Sequence, residues 1–383
     1  MKALLCSAAA AGSMAFAAVP ASAQTHIVLH DVGGVTGSPA EMGFRAAASY
    51  WESVLTNDVT IDFDVGFDHL GPGILGGTGT ALYTYVPVQD YYDALVNNGV
   101  SALDAQAIAH LRPLSATGSV SPIVPQYYDP ATKNGVASTG SRVGPDGKPI
   151  TDTIAVASAN WQALTGDVSD GPDAQITFSS DFAFDFNPID GITPGTYDFI
   201  GVAIHEMGHA LGFLSGADDF DYSVGPVAGI DNYWWGYALD MFRYSADGQL
   251  NWNFNTDSYF SIDGGANAFL GNSYFSTGEN YGDGWQASHW KAPGGCSNFV
   301  GIMNPYICDG LVDSVTASDL GLLDAIGWNV NVDVLANPNY TFTTAQVRAA
   351  VPEASSWMMM ILGFGAIGGA MRYRTRRATV SYA

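Results

Sequence analysis

The pentapeptide His205-Glu206-Met207-Gly208-His209 constrains the fold more than any other stretch of the chain. Residues four apart lie on one face of an α-helix, so His205 and His209 converge on one ion, one turn apart. Glu206 is displaced by about 100° around the helix and reaches a water beside the ion rather than the ion itself. Neutral imidazoles suit zinc, which lowers the pKa of its water towards 7 so that a carboxylate can take the proton. The chain has seven His and five Glu, and chance would place this pattern in about two chains per thousand of that composition. We therefore read it as chemistry rather than as an accident of a polar helix face. The flanks agree. Thr196 reads as an N-cap, Asp198 as a first-turn carboxylate favoured by the helix dipole, and Gly212 as the residue after the C-cap. A helix is expected from about Tyr197 to about Leu211.

A hydrolytic zinc site takes three protein ligands and keeps its fourth position open. Three positions beyond Gly212 stands Ser215, a poor zinc ligand. Asp218 and Asp219 follow, but read equally as solvated loop acids, and Glu279 lies in the loop-like "YFSTGENYGDG". His26, His30, His69 and His110 precede the helix and are assigned structural roles. His289, in "GWQASHWKAPGG", is the remaining candidate.

The two ends read as addresses. Residues 1–23 have Lys2, an apolar alanine-rich stretch and Ala21-Ser22-Ala23, a secretory signal with its cleavage site. Near the other end, Trp357 to Met371 is an apolar run of 15 residues followed by Arg372, Arg374, Arg376 and Arg377. It is marginal in length for a membrane span, with the arginines on the cytoplasmic side. Five of the 13 Lys and Arg lie in these ends, against one of the 37 Asp and Glu, so the region between carries a formal charge near −28. That balance excludes nucleic acid and anionic membrane surfaces as partners, leaving membrane contact to the C-terminal tail. Aspartate-dense runs such as "DVSDGPDAQ" read either as Ca2+ sites or as solvated loops. With Cys6 in the signal, Cys296 and Cys308 remain, and an exported chain with two cysteines most simply forms one disulfide. Closing that short loop contributes about 3 kcal/mol in the chain-entropy model.

Along the chain, "THIVLHDVGG" and "VTIDFDVGFDHL" alternate as strands around a helix capped by Ser38 with Pro39 at its first position. Residues 85–150 are less legible: "SALDAQAIAHL" is helical, and "SPIVPQYYDPATKNGVASTGSRVGPDGKP" reads as a long surface insertion. "DTIAVASANWQALTG" has helical spacing, and "AQITFSSDFAFDFN" alternates as a strand. Residues 213–300 show few helical signals. A last helix is expected at "SVTASDLGLLDAIG", with Leu320, Leu323 and Ile326 on its apolar face. Residues 336–350 read as a linker.

H-E-x-x-H-A-L-G-F, a long insertion, Ser288-His289-Trp290 and then Met303 before Asn304-Pro305 together resemble leishmanolysin-type metzincins. The resemblance implies that His205, His209 and His289 hold a catalytic zinc and that Glu206 is the general base. It further implies that Met303 is the methionine of the turn beneath the ligands, a turn that Cys296 and Cys308 bracket. Tyr306 then stands where some metzincins place a hydrogen-bond donor to the oxyanion. The chain departs from the family at Lys291, where an acid is frequent, and in the 79 residues between His209 and His289. The implied fold is α+β with two lobes. Residues 24–212 would carry a mixed twisted sheet and the zinc helix, and residues 213–335 an irregular lobe with a C-terminal helix. The implied activity is that of an exported zinc endopeptidase acting on proteins or peptides. Residues 351–383 are similar to a PEP-CTERM sorting signal of the PEPxxW type, matching at Pro352-Glu353 and Trp357, with Ala354 replacing its second proline. That implies an exosortase-type partner and a place at the surface or extracellular matrix of a Gram-negative cell. Two other readings stand beside this one: a non-catalytic zinc protein of the surface or biofilm matrix, and a zinc amidase acting on cell-envelope polymers.

Overall fold

Apolar alternation organises the two opening strands of the computed structural model, which describes residues 24–350. The expected signal segment 1–23 and sorting segment 351–383 lie outside the described residues. No helix among the described residues is long and apolar enough to cross a membrane. Strand β1 (His26–Gly33), helix α1 (Pro39–Val54) and strand β2 (Thr60–Asp68) follow one another as expected. The Ser38 side chain accepts from the Ala40 amide, with Pro39 opening the helix. Ile61, Phe63 and Val65 of β2 all point inward, the period-2 signature of a half-buried strand.

Next come β3 (Gly76–Thr80), β4 (Leu82–Pro87), α2 (Val88–Asn98), α3 (Ala102–Ala109), β5 (Ile123–Pro125) and β6 (Ser141–Val143). They are followed by α4 (Pro149–Asp152), β7 (Thr153–Ala157), α5 (Ser158–Thr165) and β8 (Ala174–Ser179). The principal sheet has the order β1-β2-β8-β3, parallel except for β3, which runs antiparallel along β8 and forms an edge. Residues 123–143 are not a purely surface insertion: β5 pairs with β6, and Val124 and Val136 are fully buried. "DTIAVASANWQALTG" is half strand and half helix, because its β-branched first part pairs with β4.

A two-residue pair, β9 (Phe184–Asp185) with β10 (Tyr197–Asp198), leads into α6 (Phe199–Ala210). The remaining elements are α7 (Gly216–Tyr222), β11 (Arg243–Ala246), β12 (Gln249–Leu250), β13 (Ser258–Phe260), β14 (Tyr274–Phe275), β15 (Ser314–Thr316), α8 (Ala317–Ala325), β16 (Thr341–Thr343) and α9 (Thr344–Ala350). β11 to β14 form a second small sheet of order β12-β11-β13-β14. The class is α+β. Helix α6 packs on α1 and the principal sheet through Phe44, Phe178 and Phe199, whose ring centroids lie 4.5–5.0 Å apart. Each such ring contributes roughly 1.5–3 kcal/mol by burial. The Trp51 indole fixes the helix's height by donating to the Ile204 carbonyl at 3.2 Å.

The linker reading of 336–350 is corrected. β16 pairs with β15, Phe342 packs on Tyr50 with ring centroids 5.0 Å apart, and the Thr344 hydroxyl donates to the buried Asp198 carboxylate. These contacts are long-range, so local composition does not reveal them.

Helices α3 and α8 meet at a point with a measurable consequence. The Ser101 hydroxyl donates to Asp324 Oδ2 at 3.0 Å, while Asp324 Oδ1 has no partner among the described residues. Burial, reinforced by the Asp104 carboxylate, pushes the Asp324 carboxyl up from 3.8 to about 8. The folded state therefore keeps this proton where the unfolded chain has released it, and the group's contribution to stability is lost as pH rises from about 4 to about 8. Asp324→Asn should stabilise the protein at pH 8 by on the order of 2 kcal/mol and have little effect at pH 4, as urea unfolding at the two pH values will show.

Candidate metal centre

Helix α6 begins at Asp198, two residues after the expected cap, because the Asp198 side chain accepts the Gly201 amide at 3.1 Å. It ends at Gly212, whose φ of +112° suits a residue without Cβ. Between them His205 and His209 project from one face. His289, 80 positions beyond His209, arrives on a loop beside β14. The three Nε2 atoms form a triangle with sides of 3.1, 3.1 and 3.2 Å.

The opposite ring nitrogens explain the orientation. His205 Nδ1 donates to the Ile302 carbonyl at 2.7 Å, His209 Nδ1 to Phe213 at 2.8 Å and, more weakly, His289 Nδ1 to Gln286 at 3.3 Å. With the protons on Nδ1, the facing Nε2 atoms offer three lone pairs and no hydrogen between them. Their short separations are then not hydrogen bonds; they are the arrangement that a cation would stabilise. Burial holds the imidazoles neutral, lowering His205 to about 4 and His209 to about 3, and His289 well below the ordinary range. The triad can hold a metal ion. Among the described residues no other group of three His, Cys, Asp or Glu side chains converges in this way, the aspartate run at 167–173 included.

Glu206 stands beside the triangle, 5% exposed, and burial raises its carboxyl to about 7 against the opposing effect of the Thr78 hydroxyl. Both line a cleft of about 930 Å³, together with residues 76–78 of β3 and residues 302 and 304–307. Met303 lies directly under α6: a Cβ added at Gly208 would sit 2.4 Å from the Met303 sulfur, so only glycine admits this contact. Tyr306 lines the cleft and packs against Trp285 in a tilted arrangement with ring centroids 5.0 Å apart. Its hydroxyl donates to the Gly295 carbonyl at 2.9 Å and accepts the Gly295 amide at 3.0 Å. Cys296 and Cys308 are paired, with Cα atoms 5.8 Å apart.

Two carboxylates, Asp319 and Asp218, hold the distant pieces in place. Asp319, fully buried in α8, accepts from the Trp290 indole at 2.8 Å and from the amides of Ile302, Met303 and Thr316 at 3.0, 3.2 and 2.7 Å. It thus joins the residue after His289 to the segment whose Ile302 carbonyl orients His205. Asp218, weighed from sequence as a ligand or a solvated acid, is neither. It accepts the Ala287 and Ser288 amides at 2.5 and 2.9 Å and the Ser288 hydroxyl at 2.5 Å, immediately before His289. Ser215 extends this network: its amide donates to Ser288 Oγ at 2.9 Å and its hydroxyl to Asp240 at 2.6 Å. Glu279 accepts from Tyr222 at the mouth of the cleft. Only the N-terminal capping signal Thr316-x-x-Asp319 was available to single out Asp319 in the sequence.

Asp319→Asn keeps the size of the side chain but replaces one acceptor oxygen with a donor that faces backbone N–H groups. It should weaken zinc binding about 10- to 100-fold and cost roughly 2–3 kcal/mol of stability, measured by chelator competition and urea unfolding. Unchanged zinc affinity would remove Asp319 from the support of the site. No family model matches the chain, and neither do any curated protein or solved structure.

Proposed function

We propose that the protein is an exported zinc-dependent endopeptidase of metzincin type. The observation that carries this reading is the convergence of three neutral imidazole nitrogens beside a buried carboxylate at the floor of an open cleft. The donor set fits the ion. Tetrahedral zinc with Zn–N distances of about 2.0–2.1 Å sets its nitrogens about 3.3 Å apart, close to the 3.1–3.2 Å found here. Three histidines with no fourth ligand among the described residues fit a hydrolytic site, whereas a purely structural zinc closes its fourth position. The disulfide supports an oxidising compartment, in keeping with export.

His205, His209 and His289 would hold the zinc, which supplies Lewis acidity, easing the deprotonation of water and stabilising negative charge on a carbonyl oxygen. Glu206 takes a proton from the attacking water as its oxygen bonds to the scissile carbonyl carbon. When the C–N bond breaks, Glu206 returns that proton to the departing amine nitrogen. Burial favours this role by making the Glu206 carboxylate a better proton acceptor than a solvated one. The carbonyl groups of Ile302, Phe213 and Gln286 keep the three rings in the tautomer that presents Nε2. Edge strand β3 and the 304–307 segment form the walls between which an extended chain would lie.

Glu206→Gln should retain one zinc per chain and lose cleavage of an unstructured protein such as casein by about 10²–10⁴-fold, whereas His289→Ala should lose the zinc as well. Metal analysis beside a cleavage assay separates the two. Undiminished cleavage by Glu206→Gln would contradict the mechanism.

A further inference from the structure

The sequence Gly76-Gly77-Thr78-Gly79-Thr80 forms the edge strand β3, in which alternate residues share a face. Gly76, Thr78 and Thr80 form one such set, and all three face α6. Thr80 Oγ1 reaches the His209 carbonyl at 3.4 Å, and Thr78 Oγ1 reaches the Glu206 carbonyl at 3.0 Å and Glu206 Oε2 at 2.7 Å. A Cβ added at Gly76 would stand 2.9 Å from Glu206 Oε1. The strand that lines the cleft therefore holds one oxygen of the carboxylate through a hydroxyl and, at Gly76, leaves the space beside the other free of a side chain.

We infer that Thr78 is a positioning residue that decides which oxygen of Glu206 exchanges the proton: its hydroxyl occupies Oε2, leaving Oε1 as the oxygen that acts. The inference rests on the peptidase reading of the site and adds a residue to it. The Thr78 hydroxyl has one proton to donate, and the shorter, charge-assisted bond to Oε2 is the stronger of its two options. Oε1 makes no hydrogen bond among the described residues. When a water O–H bond breaks and Oε1–H forms, Oε2 becomes the carbonyl oxygen of the neutral acid and still accepts from Thr78. The contact thus survives both protonation states and holds the side chain in one rotamer throughout. Because Thr78 belongs to the cleft wall, a substrate seated on β3 meets a base already oriented by the same strand. Gly76 completes the arrangement, since any side chain there would cover Oε1.

Three variants separate this role from packing. Thr78→Val keeps the volume and loses the hydroxyl; Thr78→Ser keeps the hydroxyl and loses a methyl group. On zinc-loaded protein with a fluorogenic peptide, Thr78→Val should lower kcat about 10- to 100-fold at similar KM and unchanged zinc content, and Thr78→Ser should stay within about 3-fold of wild type. Urea unfolding of the metal-free protein gives an independent readout. The effect of Thr78→Val on the unfolding equilibrium should differ between the wild-type and Glu206→Ala backgrounds by about 10-fold. Wild-type kcat in Thr78→Val, or additive effects of the two substitutions on unfolding, overturns the inference. A wild-type protein that binds zinc and cleaves no peptide overturns the peptidase reading and this inference with it.

Discussion

One buried carboxylate holds the site together. Asp319 gathers the Trp290 indole and the amides of Ile302, Met303 and Thr316 around two oxygen atoms, joining His289's neighbourhood, the Met303 turn and helix α8 at once. A short helix and two irregular segments have little repetitive hydrogen bonding of their own, and their buried amides must find acceptors. A single carboxylate at the start of α8 meets that need for three segments. Through the Ile302 carbonyl it also sets the plane of the His205 ring. Asp218 does the same one step upstream, fixing residues 287 and 288 before His289. The ligand triangle is thus anchored on one side by a regular helix and on the other by loops that carboxylates have made rigid.

The same physics accounts for the acidic composition. Of the 37 acidic residues all but five are aspartates, and several serve as short acceptors for loop amides. Asp31 accepts from Gly33, Val35 and Thr36, Asp185 from Asn187 and Thr193, and Asp221 from Asn280 and Tyr281. Aspartate suits this work because its short side chain reaches backbone N–H groups a few residues away or across a loop. Part of the charge thus serves a loop-rich fold stabilised from within.

What was legible in the sequence follows the range of the interactions involved. Helix α6, the strand–helix–strand opening and α8 declare themselves through capping residues and local periodicity. Ser38-Pro39, Gly212 and the Leu320/Leu323/Ile326 stripe are where expected, all buried or at helix ends. His289 was legible by elimination, since it is the one histidine that follows the helix. The supporting network was not. Asp218 looks like a loop acid until residues 287–288 fold onto it, and Thr78 sits in a glycine-rich stretch that carries no strand signal of its own. Residues 341–350 look like a linker because their partners, Tyr50 and Asp198, lie far away in the chain. Contacts across 100 or more positions leave no periodic trace.

The central claim is that residues from two distant segments make one zinc site. X-ray absorption at the zinc edge on the purified full chain measures this directly. The account predicts one zinc per chain with three imidazole nitrogens at about 2.0–2.1 Å and no stoichiometric zinc in His289→Ala. A zinc shell with two or fewer imidazoles in the wild-type protein, or one unchanged by that substitution, would contradict it.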